Sequence, residues 1–127
     1  LDGEELTVFG DSKILDFVYI GDVVEMLEYT VKHRESLVGS TINIGSGTGT
    51  SLSTLAERIV DLIDDCPGYR IEGNRQGDTQ KYVANIEKAQ ALLDHDPTPL
   101  KKGLLRTIDW YRDQDEVRST IKEHLSD

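Results

Sequence analysis

A chain of 127 residues reads as one domain, residues 1–127, large enough to bury roughly two-thirds of its unfolded surface. Its 24 acidic against 14 basic residues leave a formal net charge of -10, which argues against nucleic acid or an anionic membrane as a partner, since phosphate binding needs basic surface. No apolar run approaches the ~18 residues of a membrane span, and the lone Cys66 rules out an internal disulfide, so a cytoplasmic protein is expected.

In chain order, Leu6 to Phe9 alternates around β-branched and aromatic residues and reads as a strand closed by Gly10-Asp11. A second extended run follows from Ile14 to Ile20. Asp16 interrupts it, and a carboxylate there must either face solvent or accept hydrogen bonds. Gly21-Asp22 opens a helix with Asp22 as N-cap and Glu25 completing a capping box. Val23, Met26, Leu27, Thr30 and Val31 form its apolar stripe, and Lys32, His33 and Arg34 suit its C-terminal end.

Ile42 and Ile44 read as strand residues, followed by the glycine-rich turn Gly45-Ser46-Gly47-Thr48-Gly49. A helix capped by Ser51 or Ser53 comes next. Its stripe of Leu52, Leu55, Ala56, Ile59, Val60 and Ile63 is the cleanest helical periodicity in the chain. Pro67-Gly68 ends that helix, and Tyr69 to Glu72 alternates as a short strand. Residues 73–80 form a polar loop containing Arg75-Gln76-Gly77-Asp78, and Tyr82-Val83-Ala84 is briefly extended. Asn85 caps a short helix with Ile86, Ala89, Leu92 and Leu93 inward. Thr98-Pro99 starts a last helix with Leu100, Leu104, Ile108 and Tyr111 as its stripe. Beyond Arg112, only Val117, Ile121 and Leu125 continue the spacing, as a frayed helix or one docked on a partner.

Strands alternating with helices give an α/β class, here a small lobe with few short strands and about four helices. The chain opens on Leu1 rather than Met, within a strand approach, so a piece of a larger protein is expected. His33, His95 and His124 have no metal-ligand spacing, and Asp94-His95-Asp96 reads as helix-end charge, so no metal is expected. The glycine turn suggests a phosphate cradle, yet its spacing fails. Thr50 stands where a dinucleotide fingerprint needs its third glycine, and Gly49 stands where a Walker loop needs lysine. The alternative is that the glycines permit positive φ and a close approach to a neighbour.

Four segments together resemble the nucleotide-sugar epimerases and dehydratases of the extended short-chain dehydrogenase/reductase family. They are Leu15-Asp16-Phe17-Val18-Tyr19-Ile20-Gly21-Asp22-Val23, Asn43-Ile44-Gly45-Ser46-Gly47, Arg75-Gln76-Gly77-Asp78 with Ala84-Asn85-Ile86-Glu87-Lys88-Ala89, and Gly103-Leu104 with Thr107-Ile108-Asp109-Trp110-Tyr111. Their order and spacing agree over nearly the whole chain.

The resemblance implies a C-terminal substrate-binding part of an enzyme of the UDP-glucose 4-epimerase kind. Its missing N-terminal Rossmann domain would hold NAD and a Tyr-x-x-x-Lys pair. No tyrosine here has lysine four residues on, so no catalytic residue is assigned and no cofactor is expected to bind this chain alone. The expected ligand is a UDP- or dTDP-sugar. The resemblance places Arg75 on its diphosphate, Asp78 on the ribose or behind Arg75, Phe17 and Thr48 along the nucleotide, and Tyr82 near the substrate. It makes Asp16, Asp22 and Asn43 structural. The chain departs from the family in having Leu15 where an arginine, a second phosphate ligand, is common, and Asn85 where aspartate is usual. The alternative function is a stand-alone nucleotide-sugar binding or interaction module without catalysis, its apolar face bare or paired with a second copy as a homodimer.

Overall fold

The computed structural model describes residues 4–10, 13–73 and 81–124. Its elements run β1 (Leu6–Phe9), β2 (Ile14–Asp16), α1 (Ile20–Lys32), α2 (Arg34–Leu37), β3 (Gly49–Ser51), α3 (Leu52–Leu62), β4 (Tyr69–Glu72), β5 (Lys81–Tyr82), α4 (Glu87–Leu93) and α5 (Leu100–His124). The fold is α/β, with short strands and helices as the sequence pattern predicts; the added α2 is a single turn.

Two small sheets organise the strands. β1 and β4 pair in parallel, Leu6 opposite Tyr69 and Phe9 opposite Glu72. The second sheet has the order β3-β2-β5, with β2 antiparallel to β3 and parallel to β5. Leu15 therefore lies beside Thr50 on one side and Tyr82 on the other.

The main core joins α1, α2 and α4. Met26, Leu37, Ile86, Ala89 and Leu93 are buried together, with Tyr29, Ile42, Ile44 and Ala84 packed on them. Helix α3 starts as its pattern predicts. Ser51 is the N-cap, and its Oγ accepts the Thr54 amide at 3.0 Å. Replacing Ser51 by alanine leaves that amide without its cap and is expected to lower stability by about 1 kcal/mol, read from urea unfolding.

Several local expectations are corrected. Asp22 does not cap α1: the N-cap is Tyr19 and makes no side-chain cap bond. The Asp22 carboxylate instead accepts the Thr98 amide at 2.8 Å and the Thr98 hydroxyl at 2.6 Å, tying the start of α1 to the approach to α5. A tertiary pair with two bonds to one carboxylate outcompetes a local box.

The stripe predicted on α1 is split. Met26 is buried, while Leu27 and Val31 are 62% and 68% exposed. Leu92 and Tyr111, expected inward, are likewise exposed. The second extended run ends as a strand at Asp16, and residues 17–19 carry the chain into α1. Finally, Ile42 and Ile44 form no strand; the strand in this region is Gly49–Ser51, the back of the glycine turn. Asn85 lies one residue outside the N-cap of α4, yet its Oδ1 accepts the Glu87 amide at 3.0 Å, which serves the same end.

Candidate functional site

The glycine turn is organised by Asp16, the last residue of the central strand β2. Its carboxylate accepts the Ser46 amide at 2.7 Å, the Ser46 hydroxyl at 2.5 Å, the Gly47 amide at 3.0 Å and the Ala84 amide at 3.1 Å. One side chain thus clamps the turn and the segment after β5 onto β2. Burial alone would push the Asp16 pKa up. The bonds from the Ser46 hydroxyl and amide and from the Ala84 and Gly47 amides outweigh it and hold the group below its ordinary 3.8.

This clamp answers the question the glycines raise. The Ser46 and Gly47 amides, which a phosphate cradle would offer to an anion, are already given to a carboxylate of the chain itself. The glycines serve close approach. A Cβ at Gly45 would stand 2.8 Å from both the Ala84 Cβ and the Asp16 Oδ2, and one at Gly49 would stand 2.6 Å from the Ile14 Cγ2. Gly47 also has φ of +68°, a left-handed conformation that side chains disfavour.

Phe17 follows Asp16, and Thr48 sits at the tip of the clamped turn. The fold brings both to one cavity of about 250 Å³, lined also by Ser46, Thr50 and residues 97–100. Tyr82 lies outside that cavity, on β5 beside Leu15, and is 68% exposed. Arg75 and Asp78 lie outside the described residues; the chain leaves β4 at Glu72 and re-enters at Lys81.

The sequence reading missed His95. Far from being helix-end charge, it is 3% exposed, and its Nε2 donates to the Gly45 carbonyl at 2.7 Å, which requires the proton on Nε2. His95 thereby holds the first residue of the turn. Nothing in the sequence around Asp94 signals that pairing, which spans 50 positions. Among the described residues no cluster of three or more His, Cys, Asp or Glu could hold a metal, and no helix is long and apolar enough to cross a membrane. What the arrangement offers chemically is a rigid wall and a small pocket, suited to holding and orienting a ligand.

No protein-family model matches the chain. Individual relatives do. An uncharacterised UDP-glucose epimerase of Bacillus subtilis, YtcB, is 35% identical over 114 residues, covering 85% of this chain. The solved structure of an epimerase from Methanothermobacter thermautotrophicus aligns over 91% of this chain with a TM-score of 0.81 and 29% identity. The relatives and structural neighbours of this chain are nucleotide-sugar epimerases, dehydratases and kindred enzymes.

The match is partial. The chain spans 34% of the length of YtcB and 35% of the Methanothermobacter epimerase. A further solved member, MoeE5 in complex with UDP-glucose and NAD, aligns over 90% of this chain and 38% of its own, with 30% identity and a TM-score of 0.77.

Proposed function

We propose that this chain is the C-terminal substrate-binding part, 1–127, of an NAD-dependent nucleotide-sugar epimerase, and that it holds a UDP- or dTDP-sugar for hydride transfer. The observation that carries the reading is the joint placement of Phe17 and Thr48 on one cavity whose wall Asp16 fixes. Relatives of matching fold supply the ligand class: MoeE5 was solved with UDP-glucose and NAD.

In this reading the nucleotide lies along Phe17 and Thr48. Arg75 binds the diphosphate through its guanidinium fork, Asp78 takes the ribose or orients Arg75, and Tyr82 stands near the sugar. With Leu15 in place of a second arginine, Arg75 carries most of the phosphate recognition. The described residues do not fit NAD. The glycine turn lacks the dinucleotide spacing, and its Ser46 and Gly47 amides are committed to Asp16. In this reading a Rossmann domain outside this chain holds the cofactor, and the chemistry here is binding and orientation.

Titration calorimetry tests the assignment. The chain is expected to bind UDP-glucose, and Arg75→Ala is expected to weaken that binding about 10- to 100-fold, the loss of one charge-assisted phosphate contact. Equal affinity in the variant would remove Arg75 from the site.

A further inference from the structure

We infer that Arg58, on α3, is a second phosphate-binding residue, holding the diphosphate of a nucleotide whose nucleoside lies along Phe17 and Thr48. The inference rests on the nucleotide reading of that cavity and adds a residue to which neither motif nor spacing points.

The cavity of Phe17 and Thr48 has a neighbour. A second cavity, of about 410 Å³, shares Thr48, Thr50 and Leu100 with it. This one is lined besides by Ser51 and by Thr54 and Arg58 of α3. Thr54 and Arg58 are four residues apart, about one helical turn, and so share a face of α3. The two cavities form one groove along β3. Phe17 belongs to the one and Arg58 to the other, and the threonines of β3 and its turn are common to both.

Charge singles the groove out. The chain carries 24 acidic residues, yet among the described residues no carboxylate lines either cavity, and Arg58 is the one charged side chain that does. An anion is attracted there while most of the surface repels it. Arg58 is also uncommitted. Among the described residues it has no ion pair, hydrogen bond or ring contact. Other exposed cations find carboxylates: Arg70 binds Glu5 and Glu72, and Arg112 pairs with Asp109 three residues before it. Asp61 stands three residues after Arg58, and no pair forms.

The hydroxyls suit the same ligand. Ser51 is spent on the fold: its Oγ accepts the Thr54 amide at 3.0 Å and donates to the Thr54 Oγ1 at 2.8 Å. The Thr54 oxygen accepts there, so its own proton is left to donate. The Thr50 hydroxyl makes no bond among the described residues. A guanidinium with two hydroxyl donors beside it matches a phosphate, whose oxygens are acceptors. Thr50, Leu15 and Tyr82 stand side by side across the sheet, so a diphosphate at Thr50 leaves the sugar on the Tyr82 side.

Titration calorimetry of the chain with uridine, UDP and inorganic pyrophosphate is the test. UDP is expected to bind at least about 10-fold more tightly than uridine. Arg58→Gln should weaken UDP about 5-fold and leave uridine within about 2-fold. Its melting temperature should stay within about 1 °C of the parent's, because the side chain is exposed and unpaired. Arg58→Lys keeps the charge without the fork and should recover part of the loss. In the NMR spectrum the Arg58 Nε–H resonance should move with UDP and stay in place with uridine.

Unchanged UDP affinity in Arg58→Gln overturns the proposal, while UDP-glucose binding by the parent would still support the site at Phe17 and Thr48. An equal loss for uridine and UDP overturns it as well, because that marks an altered pocket and not a lost phosphate contact. Pyrophosphate binding through Arg58 as tightly as UDP would mean a separate anion site and contradicts the shared groove. If no nucleotide binds the parent, this proposal and the reading it rests on fall together.

Discussion

Asp16→Ala is expected to lower the stability of the chain by roughly 3 kcal/mol and its melting temperature by about 10 °C. The variant removes the common acceptor of the Ser46 amide and hydroxyl, the Gly47 amide and the Ala84 amide. Each bond contributes only about 0.5–1.5 kcal/mol net, and a half-buried site sits near the low end of that range. The total is large because the four converge on one group. Asp16→Asn is expected to recover little, since an amide nitrogen would face donors where a carboxylate oxygen now accepts them.

The pH dependence carries a sign that follows from the lowered pKa. A group whose pKa is depressed on folding stabilises the fold fully above its unfolded value, near 3.8, and loses that contribution as pH falls through the lower folded value. The stability gap between the parent and Asp16→Ala should therefore be constant from neutral pH down to about pH 5 and narrow below about pH 4. Urea unfolding at a series of pH values reads this directly. A gap that stayed constant to pH 2 would mean that the ionised carboxylate is not what holds the turn.

Gly47→Val is expected to cost about 2–4 kcal/mol through two separable effects. A β-branched residue at φ of +68° is conformationally strained, by roughly 1–2 kcal/mol. Its Cβ would also lie 2.9 Å from the Cδ1 of Ile86, a side chain already buried in the core, so relief requires repacking. Gly39 provides the control. Its φ is +75°, but nothing lies within 4 Å of a Cβ there, so Gly39→Ala should show the conformational cost alone, about 1 kcal/mol. Thermal melts of Gly47→Ala with and without Ile86→Val isolate the steric part, which the smaller residue should relieve. Equal effects at positions 39 and 47 would show that the turn is not packed against Ile86.

Local features were the legible ones. The α3 stripe and its Ser51 cap read correctly because every interaction involved lies within a few residues. The strands β1 and β4 likewise declare themselves by composition, though their parallel pairing does not. For Asp16, the sequence reduces the options to solvent or hydrogen bonds. The choice rests on partners 30, 31 and 68 positions away, which no window contains. At Asp22 a plausible local capping box lost to Thr98, 76 positions on.

Ile42 and Ile44 fail in a different way. Their strand propensity is real and their side chains alternate as predicted, but a strand is defined by its neighbour, and none of the described residues pairs with them. The α1 stripe erred for a related reason, because apolar spacing marks a face that wants cover without saying what covers it. Of the residues assigned to the ligand, Phe17 and Thr48 share a cavity and Tyr82 stands on the adjoining sheet. Spacing alone could not have joined positions 17 and 48, and the family resemblance is what named them together.

The role proposed for this chain is to hold a nucleotide sugar against the wall formed by the clamped turn. Amide chemical shifts followed while UDP-glucose is titrated into the isotopically labelled chain test it most directly. Saturable shifts are expected to concentrate at Phe17, Thr48, Arg75, Asp78 and Tyr82, with those of Ser46 and Gly47 small because their amides stay bonded to Asp16. Shifts confined to Ser46 and Gly47, or none up to millimolar ligand, would contradict it.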